Sequence, residues 1–205
     1  MIKKERVAAK IFKDLVWHFA GCENELFLTF DDGPTPEITP WVLDTLKHYN
    51  AKATFFCVGE NVLNNPEIYR QIIDDGHAVG NHSFSHLKGW NTTTKSYIDD
   101  IIKAKEFIKT NLFRPPYGRI KPAQSFELKK DFYIIMWDVL SKDYDESIDK
   151  QKCLNYVLNH SEEGSIIVFH DTCKAKKNLE FVLPKVLEHY SEKGFIFKAI
   201  EFETD

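Results

Sequence analysis

Short runs of β-branched and aromatic residues alternate along the chain with longer stretches in which apolar side chains recur every three or four positions. The first pattern reads as strand and the second as helix. Strands are expected at Leu26–Phe30, Ala53–Val58, His77–Gly80, Leu112–Arg114, Phe132–Trp137, Ser165–His170 and Phe195–Ile200. Helices are expected at Thr39–Tyr49, Pro66–Asp75, Thr94–Thr110, Ala123–Lys130, Ile148–His160 and Leu179–Glu192. Two of these helices run out just before a glycine, with Gly76 after Asp75 and Gly194 after Lys193, as helix ends often do. Ahead of the first strand, Ile11, Phe12, Leu15, Val16 and Phe19 keep helical spacing. That predicts a short amphipathic helix packed on the domain floor, with a membrane surface as the alternative.

Strand–helix alternation with right-handed crossovers makes a parallel sheet, flat or closed. A chain of 205 residues without repeat, linker or low-complexity segment fits one α/β domain. The chemically unusual residues fall at or just past the ends of the expected strands: Asp31 and Asp32, His82, Arg114, Asp138 and His170. Polar groups gathered at the C-terminal rim of a parallel sheet mark an active site.

Composition narrows the function classes. A hydrophobic share of 43% and a charged share of 28% suit a soluble chain with a real core. A net charge of −4 leaves no basic footprint for nucleic acid. No run approaches the roughly 18 apolar residues of a membrane span. Met1–Gly21 is interrupted by Lys10, Lys13 and Asp14 and does not read as a signal peptide, so the sequence itself points to the cytoplasm. Cys22, Cys57, Cys153 and Cys173 form no CxxC pair and read as free thiols, with a Cys153–Cys173 bridge left open.

The sharpest chemical signal is Thr29-Phe30-Asp31-Asp32-Gly33-Pro34. Neighbouring carboxylates at a buried strand end repel each other unless a cation or hydrogen bonds offset them. A metal on one and a catalytic duty on the other resolves the conflict. The run His82-Ser83-Phe84-Ser85-His86 supplies two imidazoles four residues apart, which a helical turn would bring to one side. Two histidines and one aspartate form a common ligand set with open positions for water.

Together with Arg114-Pro115-Pro116-Tyr117-Gly118 and Val168-Phe169-His170-Asp171, these runs resemble the ordered motifs of the NodB-like polysaccharide deacetylases, carbohydrate esterase family 4. The resemblance implies a single distorted (β/α) barrel of seven or eight strands, residues 22–205, behind an amphipathic extension, residues 1–21. It implies that Asp32, His82 and His86 hold the metal, with zinc favoured and cobalt, nickel or iron also suited. It makes Asp31 the base, Arg114 its orienting partner, the Tyr117 backbone N–H an oxyanion donor, His170 the acid and Asp143 the partner of His170. Tyr117, Pro116, Trp137 and Val168 become substrate contacts, and Trp90 a further candidate for stacking on sugar. Core or rim packing is the other reading of Trp137, a surface ion pair that of Arg114, and a capped strand end that of His170.

The implied reaction is acetate release from an acetylated amino-sugar glycan by a monomer. The same residues would serve an O-acetyl xylan esterase, and a binding protein without turnover is the remote alternative. The family acts mostly on cell-wall or extracellular glycans, against the cytoplasmic reading of the N-terminus. Two departures stand out. A further motif, the fourth in chain order, is matched only in part by Leu140-Ser141-Lys142-Asp143-Tyr144, where Leu140 and Tyr144 occupy the places of an aspartate and a tryptophan; in the fifth, Val168 stands where leucine is usual.

Overall fold

The computed structural model describes residue 9 and residues 12–202. Eight parallel strands form one curled sheet: β1 (Glu25–Asp31), β2 (Ala53–Cys57), β3 (Ala78–Asn81), β4 (Leu112–Phe113), β5 (Tyr133–Ile134), β6 (Val139–Leu140), β7 (Ile166–His170) and β8 (Ile196–Phe197). Seven run in the order β5-β4-β3-β2-β1-β7-β6. The eighth, β8, pairs with Glu25 and Leu26 at the start of β1, below the point where Leu28 meets Ala53 of β2. The helices α1 (Ile38–His48), α2 (Gly59–Asn64), α3 (Pro66–Asp74), α4 (Thr94–Ala104), α5 (Pro122–Leu128), α6 (Lys150–His160) and α7 (Lys176–Glu192) connect the strands. Side-chain caps start two of them, with Thr93 accepting from the Ser96 amide and Asp149 from the Gln151 amide.

The strand period of two decides what faces where. On β1 and β7, Leu26, Leu28, Phe30, Ile167 and Phe169 pack in the main core with Val42, Leu46 and Val186 of the helices. The intervening Thr29, Asp31, Val168 and His170 project to the opposite, inner face, where Phe27, Ile135 and Ile166 pack lower down and Phe56 lies level with Asp31. In this way one short alternating strand supplies both apolar core and polar rim. Asp31 ends β1, Asn81 of β3 leads into His82, Arg114 follows β4 and His170 ends β7. All four lie at the C-terminal ends of their strands, as the alternating pattern implies.

Three expectations need correction. The amphipathic helix through Phe19 does not form over residues 12–19 (Ile11 lies outside the described residues). Val16 instead pairs parallel with Ile135, through bonds to Ile134 and Met136, and His18 bridges antiparallel to Ser165. The open backbone edge beyond β5 captures this β-branched and aromatic segment, and tertiary pairing overrides helical spacing. The strand expected at Phe132–Trp137 stops at Ile134, because the next two carbonyls turn to the Arg114 side chain. Asp138 consequently lies ahead of β6, at the N-terminal end of β7. There it accepts from Ser165 Oγ and the Ile166 amide and faces His18 at 3.0 Å. It is a bracket on the barrel floor, remote from the rim.

The four cysteines are free, and no Cys153–Cys173 bridge forms. Among the described residues, no helix is long and apolar enough to cross a membrane.

Candidate active site

Asp32 leaves β1 with φ 79°, a left-handed conformation, its amide bonded to the Phe56 carbonyl at 3.2 Å. The next residue is Gly33, whose N–H donates to Asp171 Oδ1 at 3.1 Å. A Cβ at Gly33 would overlap that carboxylate, so the close approach requires glycine here. Asp171 is fully buried and also accepts from Thr39 Oγ1. Burial pushes its pKa up to about 7, against the two hydrogen bonds.

His82 and His86 reach Asp32 by a different local geometry from the expected helical turn. Residues 82–86 form a bend in which Ser83 (φ 63°) and His86 (φ 55°) are left-handed. Asp100 on α4 pins it by accepting from the Phe84 and Ser85 amides at 2.9 and 3.0 Å. The result places His82 Nε2 3.3 Å and His86 Nε2 3.0 Å from Asp32 Oδ1. Burial would raise the Asp32 pKa, but the two imidazoles hold it well below the usual carboxylate range. One ligand atom from each residue lies within 4.8 Å of the others.

The donor chemistry fits a divalent transition metal. His82 Nδ1 sits 2.8 Å from the Arg114 carbonyl, which can only accept, so Nδ1 carries the proton and Nε2 is free to ligate. Two imidazole nitrogens and one carboxylate oxygen suit zinc, cobalt, nickel or iron.

Asp31 faces the same space from the next position. Arg114 NH1 donates to Asp31 Oδ1 at 2.7 Å and to Thr29 Oγ1 at 2.6 Å. Its Nε and NH2 donate to the Ile135 and Met136 carbonyls, and its guanidinium lies 4.0 Å over the Phe56 ring. With 0% exposure, Arg114 is no surface ion-pair residue. The guanidinium plugs the seam between β5 and β6 while holding one oxygen of Asp31.

Across the cavity, His170 Nδ1 donates to Asp143 Oδ1 at 2.8 Å, and the His170 amide donates to Asp143 Oδ2 at 2.7 Å. Asp143 is itself buried and accepts from Ser141 Oγ and the Tyr144 amide. Burial opposes charge on His170, but Asp143, with Asp31 and Asp32 behind it, raises its pKa to about 9.

These groups open into a cavity of about 520 Å³ lined by Asp31, Asp32, His82, His86, Tyr117, Trp137, Val168 and His170 among others. Arg114 and Asp143 stand one layer behind. Pro116 is buried and sets the turn that brings Tyr117 (φ 60°) against His86, with ring centroids 4.7 Å apart. Pro116 itself is not among the cavity-lining residues. The two departures of the fourth motif are wall residues. Leu140 lines the cavity, and Tyr144 packs edge-on against His170 at 4.8 Å. Exposed Trp90 carries the Arg119 guanidinium 4.8 Å over its ring, and Arg119 also lines the cavity.

Sequence reasoning missed Asp171, whose only signal was its place directly after His170. It also missed Lys88, Arg119, Thr172 and Lys174, which line the cavity from loops with no motif of their own. His77 accepts from the Ala53 amide at the start of β2, His160 bonds to the Tyr156 carbonyl one turn earlier, and His18 bonds to Asp138, all away from the cavity.

A family model described as polysaccharide deacetylase matches residues 20–131. A peptidoglycan-N-acetylglucosamine deacetylase of Bacillus cereus is 32% identical over 193 residues, covering 91% of both chains. A second protein of that name and organism is 39% identical over 163 residues, covering 75% of this chain but 59% of its own. A solved peptidoglycan N-acetylglucosamine deacetylase superposes with a TM-score of 0.86 at 32% identity, covering 94% of each chain.

Proposed function

Because the chain belongs to the polysaccharide deacetylase family, we propose that it is a metal-dependent amidase that releases acetate from N-acetylated sugars of a peptidoglycan-type strand. One observation carries the reading: Asp32, His82 and His86 converge within 4.8 Å, beside Asp31 and in the cavity that His170 also lines. The names of the three relatives described above, each a peptidoglycan deacetylase, support the substrate class and a site of action at the cell wall.

Asp32, His82 and His86 would hold the ion, with zinc favoured. A divalent cation in such a site polarises a carbonyl oxygen and makes bound water acidic. The rest of the chemistry belongs to the chain. Arg114 occupies Asp31 Oδ1, leaving Oδ2 to take the proton of the attacking water. The Tyr117 N–H donates to the oxyanion that develops on the acetyl group, a contribution typically worth about 3–4 kcal/mol. An amine leaves only after protonation. His170, charged through Asp143, delivers that proton from the opposite wall. Val168, Leu140, Tyr144 and Trp137 give the acetyl methyl an apolar, water-poor wall. Every group comes from one chain, so a monomer suffices.

The test is metal depletion followed by restoration, with acetate release from peptidoglycan strands as the readout. Activity should vanish in verified metal-free protein and return with zinc, cobalt or nickel. Full acetate release without metal would sink the mechanism.

A further inference from the structure

The carboxylates in the cavity are already matched: Asp31 faces Arg114, Asp32 faces two histidines, and Asp143 behind the wall faces His170. The cavity rim nevertheless carries three further cations, Lys88, Arg119 and Lys174. None of the three is in an ion pair with an acidic side chain among the described residues. Lys88 sits 5.2 Å over Tyr117, and Arg119 4.8 Å over Trp90. Both rings are more than half exposed, at 59% and 57%. Lys174 stands on the opposite wall beyond His170 and Thr172. The nearby acid that feels its charge, Asp145, forms no ion pair with it and accepts on Oδ1 from the Ser147 amide and hydroxyl. A chain of net charge −4 thus places three cations without a close ion-pair partner around one opening.

Like-charged side chains converging on a cleft cost free energy unless an anion joins them. Aromatic faces beside those cations suit a sugar ring, and the cations suit an acidic substituent on it. We propose that Lys88 and Arg119 on one wall and Lys174 on the other seat carboxylate groups on the sugars flanking the one that loses its acetyl. The preferred glycan is then an acidic strand and not a neutral one. The proposal rests on the glycan deacetylase reading above and names the residues that would recognise the strand.

The test compares kcat/KM of the zinc-loaded full chain on three probes. These are a neutral N-acetylglucosamine tetramer, peptidoglycan strands trimmed of stem peptides but keeping lactyl carboxylates, and the same strands with peptides attached. The carboxylated strands should be preferred, and raising the salt should erode the preference. Each cation should contribute about a twofold to fivefold share, so the triple variant Lys88→Gln, Arg119→Gln, Lys174→Gln should lose most of it, with the circular dichroism spectrum unchanged. Lys174→Arg should retain it. A preference confined to the peptide-bearing strands supports the rim and assigns the carboxylates to the peptide. Equal turnover of all three probes, insensitive to salt and to the triple variant, overturns the proposal and leaves the deacetylase reading intact. Absence of acetate from every probe overturns both.

Discussion

Replacing Arg114 by methionine keeps an unbranched side chain in the barrel seam but removes the guanidinium. Asp31, itself buried, then loses the cation 2.7 Å away. Removing one partner of a buried ion pair typically costs about 3–5 kcal/mol, because the remaining charge is stranded. The Ile135 and Met136 carbonyls also lose their donors, at about 1 kcal/mol each on the low side. The sum, about 5–7 kcal/mol, is comparable with the whole stability of many domains. Urea unfolding should show that loss. Thermal melting should fall by about 10–28 °C, at roughly 2–4 °C per kcal/mol for a chain of this size. Arg114→Lys should recover only part, since one ammonium cannot reproduce a fork that bonds four acceptors. Adding Asp31→Asn to Arg114→Met should restore about 2 kcal/mol by removing the stranded charge. A methionine variant within about 1 kcal/mol of wild type, or strictly additive double-mutant energies, would refute the assignment of Arg114 as the electrostatic keystone of the seam.

Three further outcomes are expected. His170→Ala should reduce amide hydrolysis far more than hydrolysis of an acetyl ester, whose alkoxide leaves more readily; equal losses on chitotetraose and acetylxylan would count against His170 as the acid. In metal-free protein the raised pKa of His170 means that its charged form stabilises the fold fully below the unfolded value near 6.5, and that this support is lost as the pH rises through about 9. The loss between about pH 7 and pH 9.5 should be about 2 kcal/mol, whereas the contribution of Asp171, raised to about 7, is largely spent at the lower end. His170→Gln should flatten that window in urea titrations, and an unchanged slope would show that the Asp143 pairing does not support the charge. Gly33→Ala should destabilise by about 2 kcal/mol or more, through overlap with Asp171 and loss of the Gly33 hydrogen bond. It should also weaken zinc binding measured by calorimetry, because Asp32 is the adjoining residue; wild-type affinity would mean that the Asp171 anchor does not position the ligand.

The letters alone determined which groups would gather and at which end of the sheet. Alternation of period placed Asp31, His82, Arg114 and His170 at strand ends. Chemical type then singled out Asp32 and two histidines as a candidate metal set, with Asp31 beside it. These features are legible because strand alternation and ligand chemistry are local properties. Only the tertiary structure decided the rest. Residues 12–19 have helical spacing, yet they pair with the edge beyond β5, since an unpaired backbone edge outweighs weak helical propensity. The two histidines meet Asp32 through a bend pinned by Asp100, a residue 14 positions beyond His86 that no local pattern connects to it. Arg114 reads as surface or site until the seam between β5 and β6 encloses it. Lys88, Arg119 and Lys174 are ordinary loop cations in the sequence and become one rim only when strand ends from distant parts of the chain close around the same cavity.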